Sequence, residues 1–431
     1  MPGGILLKNG RVLDPANGID QVRDVLIVEG RIRAVAQPGS LSGQDGLVYD
    51  VTGKWVVPGL IDMHVHLREP GQEYKETIET GTRAAAAGGF TAVACMPNTK
   101  PVNDNQAVTV FILAKAAEAG LARVYPVGAI SSGSSGEHLA EFGELRQAGA
   151  VAVTDDGLPV GNSQLMRRAL EYAGNHDLLV ISHAEDLSLS QSGAMNDGPL
   201  ATRLGLRGIP HVAEEIMVYR DLALAEFTGR PIHIAHVSTR ESLALIRRAK
   251  EKGVAVTAET APHYFTLTET AVDGYNTLAK MNPPLRTEAD VAAVREALRD
   301  GTLDAIATDH APHGELDKDR EFDLAANGII GLETAVPLTL QLVRENRLDA
   351  RRMVELLSVN PARILGVPGG TLSVGAMADI AVIDPEKKFV FTEESIQSKS
   401  RNSPFLGWQL QGKAVLTIMA GRITWQESFS S

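Results

Sequence analysis

The sequence predicts an α/β protein: a parallel (β/α)8 barrel of the TIM type, with a small β-sandwich domain formed from both chain ends. Three observations point there. Residues 56–365 alternate short apolar runs with stretches rich in Ala, Leu, Glu and Arg. Eight such runs can be counted, and eight strands alternating with helices close into a barrel. Residues 1–55 and 366–431 read instead as short strands separated by turn signals, so both ends are expected to build one small domain. A doubly wound sheet is the alternative for the middle.

Each element has its own signal. Asn9-Gly10 is a hairpin dipeptide, and Glu29-Gly30 between Asp24–Val28 and Arg31–Val35 marks a second hairpin. The C-terminal runs Asp379–Asp384 and Ala414–Thr424 have the same character. Barrel strands are expected at 56–66, 90–97, 123–130, 150–155, 178–183, 231–237, 254–260 and 303–308. Helices are expected over 104–120, 163–175, 211–229 and 239–252, with Asp104 and Ser163 as N-caps. The chain has no repeat of fixed period and no low-complexity segment.

Composition excludes several classes. The 431 residues include 41 basic and 53 acidic side chains, a net charge of -12 with no basic run, which argues against a nucleic-acid surface. No apolar segment reaches the ~18 residues of a membrane span, and Met1–Lys8 lacks the basic-then-apolar pattern of a signal peptide. A soluble, cytoplasmic protein is expected. The one cysteine, Cys95, allows no intrachain disulfide and indicates a reducing compartment. Within Thr91–Met96 it reads as a small buried hydrophobe.

In a barrel, reactive groups gather at the C-terminal ends of strands. The first strand ends at His64 and His66, two apart and so on one side of an extended chain. The fourth ends at Asp155-Asp156-Gly157, the fifth at His183, the sixth at His236 and the eighth at Asp309-His310. Each has a plain alternative: a turn or cap for the aspartates, a satisfied buried ring for each histidine. His233, three before His236, reads as a core histidine on the other face, and His263 and His310 as supporting groups. The convergence of metal-ligand types from five strand ends argues for a metal centre. Six N/O ligands exceed one tetrahedral ion and fit two, ~3.5–4 Å apart, sharing a carboxylate. Without a thiolate the set suits Zn²⁺, with Mn²⁺ or Co²⁺ as alternatives.

The strings His64-Val65-His66-Leu67-Arg68-Glu69-Pro70-Gly71, Ser182-His183-Ala184-Glu185, His236-Val237-Ser238-Thr239 and Ala307-Thr308-Asp309-His310-Ala311-Pro312-His313 resemble the amidohydrolase superfamily. More closely, the chain resembles the dihydroorotases of the longer bacterial type, over nearly its whole length. The resemblance implies metal ligands His64, His66, Asp156, His183, His236 and Asp309, with Asp309 also catalytic. It implies substrate contacts from His66, Arg68, Asn98, Asn282 and His313, with the backbone near Asn327-Gly328 closing over the substrate. Many relatives bridge their metals with a carbamylated lysine. No lysine lies between Lys115 and Lys250, so Asp156 must bridge, as in one dihydroorotase subgroup. Two Zn²⁺ per subunit are implied, the second site only partly filled. A homodimer and a complex with aspartate transcarbamoylase are the partners the resemblance implies.

The implied reaction interconverts dihydroorotate and carbamoyl-aspartate in pyrimidine biosynthesis. A metal-bound hydroxide attacks the ring amide, and Asp309 takes its proton and returns it to the leaving nitrogen. Arg68, two residues beyond the histidines, has the planar fork that grips a carboxylate; Asn98 and Asn282 could complete that grip. For Arg68 the alternative is a rim ion pair with Glu69 or Glu73; for the asparagines it is turn chemistry. Hydantoinases, dihydropyrimidinases and allantoinases share fold and metals, but usually carry the bridging lysine, and uncharged rings need no Arg68. An inactive scaffold for the transcarbamoylase would have lost ligands, and all six are in place. Residues 311–332, with Gly314, Gly328 and Gly331, are expected to form a lid that orders on substrate.

Overall fold

The computed structural model describes residues 4–41 and 46–427. Residues 1–3, 42–45 and 428–431 lie outside the described residues, including the start of the N-terminal stretch and parts of both ends of the expected small domain.

The barrel sheet has eight strands in chain order: Leu60–Val65, Phe90–Cys95, Arg123–Gly128, Ala152–Val153, Leu179–Ser182, Ile232–Ile234, Val256–Thr260 and Ala305–Ile306. All neighbours pair in parallel. The ring closes where His66 N–H donates to His310 O at 2.8 Å and Thr308 N–H donates to the Asp62 carboxylate at 3.1 Å. Strands covered on both faces read as continuous apolar runs, which is why eight could be counted. The interior is packed by small and slender side chains, among them Met63, Ala92, Ala94, Val127, Ala152, Ile181, Ala235 and Ala305. At the strands' N-terminal ends, Ser358 Oγ donates to Gly59 O at 2.7 Å and Asn360 Nδ2 to Asp304 O at 2.8 Å. The helix that follows, Asn360–Leu365, seats Ala362 and Leu365 against that interior.

The expected helices form as Gln106–Ala119, Ser163–Ala173, Val212–Thr228 and Arg240–Glu251. Two caps are corrected by one residue. Asn105, not Asp104, accepts from Ala107 N and Val108 N, while Asp104 accepts from Gly133 N–H at 2.8 Å. Asn162, not Ser163, caps the next helix, because its amide oxygen accepts from Gln164 N and Leu165 N.

Both ends contribute to a second eight-stranded sheet. Its order is Arg422–Gln426, Gln409–Met419, Ile380–Val390, Trp55–Pro58, Ile5–Asp14, Ile19–Val28 and Arg31–Ala36, with Leu47–Asp50 also on Ile5–Asp14. Glu29-Gly30 makes the expected hairpin. Asn9-Gly10 does not. Ile5–Asp14 runs through it with a shift in register, Asn9 taking φ 62° while its N–H donates to Asp24. The true turn is Pro15–Gly18.

The run expected as one strand, 56–66, serves two sheets. Trp55–Pro58 pairs with Ile380–Ile383, and the barrel begins at Leu60. Gly59 allows the switch: a Cβ there would lie 2.2 Å from Thr91 Oγ1. Between the last long strands, Phe391, Ile396 and Phe405 leave the terminal sheet and join the barrel's outer core. Among the described residues, no helix is long and apolar enough to cross a membrane.

Candidate active site

Strand ends deliver the polar groups into one buried cluster. Asp155 and Asp156 divide their tasks. Asp155 turns back, accepting from Ile130 N at 2.8 Å, Ser131 N at 3.1 Å and the Ser131 hydroxyl. Asp156 faces inward: its Oδ1 lies 3.2 Å from His64 Nε2, 3.5 Å from His183 Nδ1 and 3.6 Å from His236 Nε2. Its Oδ2 lies 3.6 Å from His66 Nε2. His64, His66 and Asp156 form one group able to hold a metal ion, and Asp156, His183 and His236 another, with Asp156 common to both. Asp309 Oδ1 is 3.0 Å from His66 Nε2 and 3.6 Å from His64 Nε2. His183 Nδ1 and His236 Nε2 are 2.8 Å apart. Arg68, His236 and Asp309 adopt positive φ (62°, 35° and 49°), a conformation uncommon for residues other than glycine.

The electrostatics suit a cation. Burial alone would discharge His64, but Asp156 and Asp309 hold its proton affinity well above the usual imidazole range. His183 is likewise lifted to about 10 against burial, by Asp156 and Glu185. Burial pushes Asp156 and Asp309 up, yet His64 and its neighbours hold both carboxyls low. These ionised acids facing clustered ring nitrogens favour positive charge between them. His64 Nε2 is buried without a hydrogen-bond partner, although two carboxylates lie within 3.6 Å. A buried polar nitrogen left without a partner is costly, and a divalent ion replacing its proton would satisfy it. The donor set is all nitrogen and oxygen: Cys95 is free and fully buried, its thiol pushed up by burial to about 11.

A cavity of about 210 Å³ opens on this cluster. Its walls include His66, Arg68, Asn98, Asp156, His183, His236, Asn282, Asp309, His313, Asn327 and Gly328. His64, the remaining expected residue, lies behind this wall. Arg68 is 8% exposed and makes no ion pair among the described residues, so the rim pair with Glu69 or Glu73 is not formed. Its Nε donates to Pro312 O at 3.1 Å and its Nη2 lies 3.3 Å from His313 Nε2. Burial pushes the His313 ring down to about 2, helped by Arg68, Lys75 and Lys318, so it is a neutral partner. Asn98 and Asn282 are not merely turn residues. Asn98 Oδ1 pairs with His66 Nδ1 at 2.8 Å, and Asn282 Nδ2 donates to Glu185 Oε2 at 2.9 Å. Gly328 has φ 119°, and a Cβ there would lie 2.6 Å from Ala311 Cβ, so only glycine fits.

Several supporting residues were not legible in the sequence. Glu259 pairs with His64 Nδ1 at 2.9 Å, and Glu185 pairs with His183 Nε2 at 3.1 Å. Asp62 takes Thr308 N and His64 N, and burial lifts its carboxyl to about 7. Asn402, over ninety positions beyond His310, donates to Ala311 O and Gly328 O. Lys318 Nζ donates to Lys280 O, Ala326 O and Gly328 O, fastening the 311–332 segment. His310 and His263, unlike these, were read from the sequence as supporting groups: His310 lies 3.3 Å from Glu76 and accepts from Gly331 N. His263 is buried, its Nε2 without a hydrogen-bond partner, and pushed down by burial to about 4.

Comparison with known proteins gives the family. Residues 53–242 match the dihydro-orotase-like family model. The dihydroorotase of Syntrophotalea carbinolica is 61% identical over 98% of this chain and 99% of its own length. That of Geobacter metallireducens is 57% identical over 98% and 99%, and that of Desulfotalea psychrophila 61% over 97% and 98%. Among solved structures, the L-hydantoinase of Arthrobacter aurescens superposes with a TM-score of 0.88 at 24% identity, covering 100% of this chain and 97% of the other. The dihydropyrimidinase of Brevibacillus agri gives 0.84 at 24%, covering 98% and 95%, and these two show the shared barrel fold. The full-length identity to named dihydroorotases places this chain in the dihydroorotase family.

Proposed function

We infer that the chain catalyses the reversible ring opening of dihydroorotate to N-carbamoyl-aspartate, a cyclic-amide hydrolysis that biosynthesis of pyrimidines uses in the closing direction. The family assignment supports the reaction. The observation that selects the acid substrate is Arg68, a buried guanidinium without a carboxylate partner on the wall of the cavity. A buried charge left unpaired is costly, and the carboxylate arm of the substrate would pair with it.

The donor set suits Zn²⁺: His64, His66, Asp156, His183, His236 and Asp309 would hold the metal, enough ligands for two ions. When bound, such ions polarise a carbonyl and lower the pKa of water from ~15.7 toward ~7. The chain's own groups do the rest. Arg68 holds the substrate carboxylate, with the Asn98 and Asn282 amides beside it. Neutral His313 offers a hydrogen bond without repelling Arg68. Asp309, on the cavity wall, accepts the proton released by the attacking water and returns it to the ring nitrogen as the C–N bond breaks. Asn327 and Gly328 line the cavity, and their backbone closing over the substrate would exclude bulk water. A cytoplasmic homodimer, able to associate with aspartate transcarbamoylase, completes the proposal.

The test is ring opening of dihydroorotate against hydantoin and allantoin on one preparation of measured metal content. Preference for dihydroorotate supports this reading. Faster turnover of the uncharged rings would assign the chain to the hydantoinase type of activity instead.

A further inference from the structure

We infer that Glu259 is a positioning residue that sets the His64 ring for cation binding. The inference rests on the metal-centre reading above. Glu259 lies in the seventh barrel strand, Val256–Thr260, a strand that supplies none of the expected ligands. The residue is 1% exposed. Oε1 lies 2.9 Å from His64 Nδ1, and Oε2 lies 3.3 Å from His233 Nε2. His233 is in turn held by Thr257 Oγ1, 2.8 Å from its Nδ1. A buried line of close contacts therefore runs from Thr257 through His233 and Glu259 to His64, across three strands; the His233–Glu259 step is an ion-pair contact without a hydrogen bond, and the other two are hydrogen bonds.

The chemistry of that line is directional. An ionised carboxylate only accepts, so His64 must carry its proton on Nδ1. Its other nitrogen, Nε2, faces Asp156 and Asp309 without a hydrogen-bond partner, and is the one that gives up its proton when a cation takes its place. This is the tautomer a metal ligand needs, and a carboxylate behind an imidazole also makes it a stronger donor. His66 is held differently: its Nδ1 meets the neutral amide of Asn98 at 2.8 Å. Of the two neighbouring rings, His64 is thus the more basic ligand. His233, which sequence spacing marks as a core histidine, serves to aim Glu259 from its far side.

The experiment uses the full chain, stripped of metal and titrated with Zn²⁺ against a chromophoric chelator. Glu259→Gln keeps the shape and removes the charge. It should bind Zn²⁺ about 10- to 100-fold more weakly, the usual effect of losing such an outer partner, while the stripped protein melts within a few degrees of the parent. Unchanged Zn²⁺ affinity, within about threefold, overturns the inference. An independent measurement needs no variant: in the parent loaded with ¹¹³Cd²⁺, the metal should couple to His64 Nε2 by ¹⁵N NMR. Coupling to Nδ1 overturns the inference as well. A parent chain that binds no divalent ion would instead sink the metal-centre reading itself, so the two failures are distinguishable.

Discussion

Replacing Arg68 with methionine separates recognition of the substrate's carboxylate from the chemistry of its ring. The guanidinium has five N–H groups. One donates to Pro312 O and a second faces His313, so three remain, enough for a two-pronged grip on a carboxylate. Losing one partner of such a buried, charge-assisted pair costs about 2–4 kcal/mol. At about 1.36 kcal/mol per tenfold, kcat/KM for dihydroorotate should fall roughly 30- to 1,000-fold. The fold should tolerate the change, because it removes a buried cation that makes no ion pair with a carboxylate among the described residues. The assay compares kcat/KM for dihydroorotate with that for dihydrouracil, the same ring without the carboxylate. The arginine variant should lose the first activity and leave the second within about threefold. A parallel loss on both rings, with the melting temperature preserved, would refute a carboxylate-binding role.

Other consequences follow from the same geometry. Asp309→Asn should bind dihydroorotate normally but lose at least ~100-fold in turnover, the usual weight of a general acid–base group; near-normal turnover would exclude the proton-carrier role. Lys318→Met removes the donor shared by three carbonyls; Lys280 O keeps Gly328 N–H and Gly328 O keeps Asn402 Nδ2, so the cost falls on Ala326 O, at about 1–3 kcal/mol. Protease should then cut faster between residues 314 and 326, and KM should rise more than kcat falls; unchanged cleavage would contradict the fastening. Burial raises the Glu333 carboxyl to about 7, against opposing bonds from Gln397 and Ser398 N–H and the charges of Lys413 and Arg401. Because the folded-state value exceeds the ordinary value of 4.5, this group's stabilising contribution is complete below about 4.5 and lost as pH rises through about 7. Glu333→Gln should therefore melt higher than the parent near pH ~8 and converge with it near pH ~4, since every tenfold difference in proton affinity between the folded and unfolded chain is worth about 1.4 kcal/mol. Equal differences at both pH values would refute the assignment.

The barrel was legible because strands covered on both faces need apolar residues throughout, and helix-rich stretches separate them. The inward aspartate was legible only through the family resemblance; physically, Asp155 is consumed by the Ile130–Ser131 backbone, leaving Asp156 free to turn inward. The handover at Gly59 was not legible, since a run such as Trp55–Val65 has the same apolar pattern whether it serves one sheet or two. Asn9-Gly10 misled because positive φ suits a bulge as well as a hairpin turn. Glu259 and Asp62 were hidden for a different reason. An acid within a strand ordinarily marks a solvent-facing position, and its buried partners lie on strands far away in sequence. Asn402 and Lys318 reach the site only through tertiary packing of segments that local pattern reads as loop.

The central claim is that the histidines and aspartates gathered at the strand ends bind catalytic divalent cations. Its most direct test is to count metal per chain by mass spectrometry, strip it with a strong chelator, and refill it while following ring opening and folding together. Two ions per chain when filled, activity lost on stripping with the fold retained, and activity restored by Zn²⁺ is the predicted result. Folded protein whose turnover survives complete removal of metal would contradict it.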